Sequence, residues 1–151
     1  MDVNSPKKIF YKETAMAKEY IPWSANLETG VSKFDQQHKV LVGMVNELHN
    51  AMMEKRGKEV LGKILDRLVS YTASHFKDEE NAFEKHNYAE KAQHKKEHDD
   101  LTATALDIHG KFNKGEAVIT IEVMSFLKDW LNKHIVGTDK KYGPTLKDKS
   151  L

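Results

Sequence analysis

The chain has 151 residues, no cysteine, and a formal net charge of +1 from 24 basic and 23 acidic side chains. That length suits one domain around one core, and the near-neutral balance excludes a broad basic surface for nucleic acid. Without thiols there are no disulfides and no sulfur-ligated metal sites, so any metal must bind through nitrogen or oxygen.

The first twenty residues, MDVNSPKKIFYKETAMAKEY, hold no apolar core of signal-peptide length. Nowhere does an apolar run approach the roughly 20 residues that cross a bilayer. A cytoplasmic protein without membrane insertion is expected, with residues 1–19 an N-terminal extension, 20–146 the folded domain and 147–151 a C-terminal tail. Only Pro6, Pro22 and Pro144 interrupt the chain, so a long helical body is expected between Ile21 and Gly143. Turn signals at Lys55-Arg56-Gly57-Lys58, His86-Asn87-Tyr88 and Asn113-Lys114-Gly115-Glu116 divide it into four helices. Their predicted spans are about 34–55, 58–85, 89–112 and 116–136, and the fold class is all-α, an antiparallel up-down-up-down four-helix bundle with an N-terminal arm.

Each predicted helix carries an apolar seam at alternating three- and four-residue spacing. In the first, Phe34, His38, Leu41, Val45, Leu48 and Met52 line up; in the second, Leu61, Leu65, Leu68, Thr72, His75, Glu79 and Phe83. The third gives His94, His98, Leu101, Ala105, Ile108 and Phe112, and the fourth Val123, Leu127, Trp130 and His134. Polar residues therefore occupy core positions in every helix. Short connections make neighbours antiparallel, so the start of the first and third helices lies beside the end of the second and fourth. His38, His75, Glu79, His94, His98 and His134 collect at that one end.

One histidine on an apolar face is usually a satisfied core residue, but five at one level are not. Burying five imidazoles and a carboxylate without partners costs several kcal/mol per group, whereas a bound cation satisfies them together. His49 and His109 sit one residue off their seams and His86 falls in a turn, which leaves them ordinary surface roles. Asp139 lies five residues after His134, not the four that stack one turn on, so joining the cluster requires Gly137 to open or widen the last turn. The methionines Met44, Met52 and Met53 read as core filling, and Lys140, Lys141, Lys147 and Lys149 as a solvated terminus.

DQQH at 35–38, HFKDE at 75–79, HKKEH at 94–98 and HIVGTD at 134–139 resemble, in order and spacing, the successive metal-ligand motifs of the hemerythrin family. Trp23 and the segment LETGVSKFD resemble the arm before the first helix of single-domain bacterial members, so the resemblance spans roughly Tyr20 to Leu146. It implies two non-haem iron ions with a bridging oxo or hydroxo group: His94, His98 and His134 on one iron, His38 and His75 on the other, Glu79 and Asp139 bridging. No motif position is substituted. Two octahedral irons have twelve positions; the three bridges fill six and the imidazoles five, leaving one for dioxygen on the iron with two histidines. Leu41, Phe76, Trp130 and Leu131 fall where they border that position, and the resemblance implies the same pocket.

The function expected is reversible dioxygen binding, for carriage or storage, without enzymatic turnover. The alternatives are oxygen or redox sensing, a di-iron oxidase or peroxidase, or iron handling at the same site. Carboxylate-rich di-iron enzymes place Glu-x-x-His on paired helices, and no Glu-x-x-His occurs in this chain. A set dominated by imidazole favours holding oxygen over stabilising oxidising iron.

Overall fold

The computed structural model describes residues 19–151, and the expected extension lies outside these apart from Glu19. Four helices make an antiparallel bundle: α1 (Ser32–Met53), α2 (Lys58–Lys85), α3 (Lys91–Asn113) and α4 (Ile121–Gly137). No strand occurs among the described residues. α1 packs on α2 and α4, and α3 packs chiefly on α2.

The turns stop the helices by a shared device. Lys55, Asn87 and Gly115 take positive φ, and the next amide in each case returns to the helix: Arg56 N to Ala51 O, Tyr88 N to Phe83 O, Glu116 N to Lys111 O. Such closures satisfy carbonyls that the last turn leaves free. In the first turn the left-handed residue is Lys55, while Gly57 keeps φ at −66° and caps α2. α4 starts five residues later than its spacing suggests, because Gly115 leads into an extended stretch in which Ile119 is buried. Thr120 then caps the helix, its hydroxyl accepting from Val123 N.

Ahead of α1, the arm is pinned by a buried side chain. Asn46 accepts from Ile21 N at 2.7 Å and donates to Ile21 O at 2.9 Å. Asp35 then gathers the turn into α1, accepting from Thr29 N, the Thr29 hydroxyl and Gly30 N, and its charge suits a helix N-terminus.

The apolar seams run as expected in α1 and α2, except that Met52 and Leu61 at the far end are only half-buried. α3 fully buries only His94, His98 and Phe112, leaving Leu101, Ala105 and Ile108 half-buried. Met44 and Met52 pack partly on the core, whereas Met53 is 60% exposed and fills nothing. Two apolar clusters result. The larger fills the bundle as far as Leu41 and Phe76, and a smaller one of Val31, Phe34, Ala82, Phe83, Tyr88, Tyr142 and Leu146 closes one end.

The closing cluster depends on the segment after α4. Gly143 lies against Thr29, and a Cβ built there would sit 2.4 Å from the Thr29 carbonyl oxygen, a backbone atom that cannot move aside cheaply. Gly143→Ala is therefore expected to lower stability by about 1–3 kcal/mol, as overpacking does. Chemical denaturation checks this; an unchanged midpoint would mean that the two segments separate freely.

Candidate metal centre

The polar seam residues lie between the two apolar clusters. His38 is one turn beyond Phe34 on α1; His75 and Glu79 are one turn apart on α2, as are His94 and His98 on α3; His134 is in the last turn of α4. All are buried, as is Asp139. Asp139 arrives by a route different from the one its spacing suggests. α4 stays helical through Gly137, where a Cβ would meet nothing within 4 Å, and Gly137 has no positive φ. The chain turns at Thr138, with φ −122° and ψ −53°, into a 3-10 turn over Asp139–Tyr142.

The side chains form two groups that share both carboxylates. Glu79, His94, His98, His134 and Asp139 bring ligand-type atoms within 4.8 Å of one another, and so do His38, His75, Glu79 and Asp139. Each carboxylate divides its oxygens between the groups. Asp139 Oδ1 lies 2.9 Å from His94 Nε2 and 3.0 Å from His134 Nε2, while Oδ2 lies 2.9 Å from His38 Nε2. Glu79 Oε1 lies 3.0 Å from His98 Nε2; Oε2 lies 3.4 Å from His75 Nε2 and 3.5 Å from His38 Nε2.

These approaches are close but lack hydrogen-bond alignment. The Nε2 atoms of His38, His94, His98 and His134, Oε1 of Glu79 and both oxygens of Asp139 are buried without a hydrogen-bond partner among the described residues. Seven orphaned atoms facing one another are costly unless something between them is shared. A cation is what fits: the donors are nitrogen and oxygen only, the set suits iron, and two carboxylates offset part of the charge.

The electrostatics show what the cluster does without a cation. Burial lowers the His38 imidazole, but contact with Asp139 and Glu79 outweighs it and holds its pKa up at about 9. His134 is likewise lowered by burial yet held at about 9, chiefly by Asp139 with Glu79 and Glu97. Burial would raise both carboxyls, and Glu79 adds a further raising effect at Asp139, but the histidines win. His75, His38 and His98 hold Glu79 well below the carboxylate range; His134 and His38 hold Asp139 low.

The metal-free protein should respond to pH on both sides. Imidazoles raised from 6.5 stabilise fully below that value and lose their contribution as pH rises through about 9. Carboxyls depressed from 4.5 and 3.8 stabilise above those values and lose it as pH falls further. Stability of the metal-free chain is expected to be greatest between about pH 4.5 and 6.5. Denaturation midpoints across pH check this, and a steady rise from pH 6 to 9 would contradict it.

An outer layer holds the imidazoles. His75 Nδ1 donates to Gln37 Oε1 at 2.5 Å, His98 Nδ1 to Glu80 Oε2 at 2.7 Å, and His134 Nδ1 to Glu97 Oε1 at 3.0 Å. Thr138 donates to the same Glu97 oxygen, and the Tyr142 hydroxyl donates to Glu79 Oε2 at 2.6 Å. Each of Gln37, Glu80 and Glu97 is next in sequence to a cluster residue on its own helix and holds a histidine on the following helix. Phe76 stacks on His98, with centroids 3.8 Å apart.

Leu41, Phe76, Trp130 and Leu131, expected beside the cluster, all line one small cavity of about 10 Å³ with His38, His75, His134, Asp139 and Ile135. That is room for about one water-sized molecule. Ile135 is the lining residue its spacing did not suggest. The three histidines outside the cluster are elsewhere: His49 stacks on Tyr20, His86 pairs with the Ser150 carbonyl, and His109 pairs with Asp66.

The chain is similar to known proteins. The family model for the hemerythrin HHE cation binding domain matches residues 29–146. A bacteriohemerythrin of Methylococcus capsulatus is 42% identical over 123 residues, covering 82% of this chain and 93% of the relative. One from Stenotrophomonas maltophilia is 34% identical over 125 residues, covering 83% and 80%. A solved wild-type hemerythrin aligns with a TM-score of 0.80 at 40% identity, over 85% of this chain and 98% of that one.

Proposed function

The chain belongs to the hemerythrin family, and from that premise we propose that it binds dioxygen reversibly at a non-haem di-iron centre, as a cytoplasmic oxygen carrier or store. The observation that carries the proposal is the sharing of both carboxylates between the two groups, one oxygen of each turned to either side. In this reading His94, His98 and His134 hold one iron, His38 and His75 the other, and Glu79 and Asp139 bridge. When bound, the iron pair supplies two electrons and an open coordination position.

The chain's own residues supply the rest. Gln37, Glu80 and Glu97 fix three imidazoles with the proton on Nδ1, which leaves Nε2 free as a ligand atom. Tyr142 occupies one lone pair of Glu79 and restrains that carboxylate. Leu41, Phe76, Trp130, Leu131 and Ile135 make the cavity beside His38 and His75 apolar, so that a small apolar diatomic is admitted and water is disfavoured. A cavity of about 10 Å³ leaves no room for an organic substrate, which favours binding over turnover.

Metal analysis of protein purified without oxygen tests this. The reading expects about two irons per chain, as two groups sharing bridges require. Zinc alone, retained after iron is offered anaerobically, would contradict it.

A further inference from the structure

The outer layer is unequal, and the inequality follows the division into two groups. His98 and His134 each face a carboxylate through Nδ1, Glu80 and Glu97 respectively. His75 faces a neutral amide oxygen on Gln37, while Nδ1 of His38 in this group, like that of His94 in the other, has no hydrogen-bond partner among the described residues. The group of three histidines thus has two anionic outer partners, and the group of His38 and His75, which line the cavity together with His134, has none in direct contact.

The orientation of that amide is itself determined. Gln37 Nε2 donates to Asp78 Oδ2 at 2.8 Å, and only with its nitrogen toward the carboxylate does its oxygen face the imidazole. An oxygen there accepts only from a protonated Nδ1, so the His75 Nε2 lone pair is presented to the cluster. A carboxylate in place of the amide would draw the Nδ1 proton more strongly and make Nε2 a better donor to a metal. The charge has instead been placed one group further out, on Asp78.

Resting on the di-iron reading, we propose that Gln37, set by Asp78, is a positioning residue: it holds His75 in its ligating tautomer while keeping it a weak donor, so that the iron held by His38 and His75 is the more readily kept reduced. A full-length Gln37→Glu/Asp78→Asn variant tests this, since it moves the charge next to His75 and retains a hydrogen-bonded chain. Two readouts serve: the midpoint potential of the iron-loaded protein, and zinc affinity of the zinc-loaded protein by chelator competition.

The exchange is expected to lower the potential and to tighten zinc several-fold. Asp78→Asn alone, which keeps the amide but removes the charge polarising it, is expected to raise the potential. Gln37→Leu should weaken zinc roughly 10- to 100-fold, as loss of an outer partner does. An unchanged or raised potential in the exchange variant, with two irons bound, would overturn the proposal and leave Gln37 a purely structural contact. If the exchange variant does not load iron, Asp78→Asn decides: a potential that stays or falls overturns the proposal. The zinc readout is independent of oxygen chemistry. Failure of the unaltered protein to bind dioxygen would therefore sink the functional reading, while the order of zinc affinities still judges Gln37.

Discussion

His98→Ala is expected to lose iron and to unfold well below the unaltered protein. His98 is buried, its Nε2 lies 3.0 Å from Glu79 Oε1, its Nδ1 holds Glu80, and its ring stacks on Phe76. On the proposed di-iron reading its removal would deprive one iron of a ligand, and it leaves Glu79, itself fully buried, short of a partner. Leaving a buried charged carboxylate short of a partner costs about 3 kcal/mol or more, which for a chain of this size is a fall of roughly 6–12 °C in Tm. His109→Ala is the control. Its pairing with Asp66 is largely exposed, and such pairs contribute about 1 kcal/mol at most. Iron content and thermal melting check both variants; equal loss of iron in the two would mean that the inward face of α3 is misassigned.

Leu131→Asn is expected to keep the fold and the iron but to shorten the life of the oxygenated protein. Leu131 is buried and lines the cavity together with His38, His75 and His134. Asparagine has the same branched outline and number of side-chain heavy atoms, so packing is largely kept, but its amide needs hydrogen-bond partners and brings water into the apolar wall. On the proposed reading, a wall that keeps water and acid away from the site would slow oxidation of a bound iron pair. A tenfold faster autoxidation, equivalent to about 1.4 kcal/mol of barrier, is the expected scale. Decay of the oxygenated spectrum at constant iron content measures it. An unchanged lifetime would show that Leu131 packs without shielding.

The legible part of the site was the part written in periodicity. His38, His75, Glu79, His94, His98 and His134 occupy seam positions where an apolar residue was due, and antiparallel topology brings seam ends together without further information. Four of the cavity residues followed, each lying next to a cluster histidine or within one turn of it. Gln37, Glu80 and Glu97 escaped notice because they lie off the seam. Their signal is adjacency: a residue next to an inward one points about 100° around the helix, toward the neighbouring helix, where a polar side chain meets that neighbour's ligand. Tyr142 and Leu146 escaped for another reason. They close the cluster through contacts with Phe34 and Phe83, and no local pattern records so distant a partner. The late start of α4 and the turn at Thr138 were set by a cap and a 3-10 turn that spacing alone does not reveal.

The most direct test is an oxygen titration of the fully reduced, iron-loaded protein, followed by absorbance and repeated after deoxygenation. The di-iron carrier reading predicts saturation at about one dioxygen per pair of irons, the single open position that its ligand set leaves. A visible band should appear on oxygenation, vanish under vacuum and return in air. Irreversible oxidation on first contact with oxygen, or iron that takes up no dioxygen while fold and metal content are intact, would contradict it.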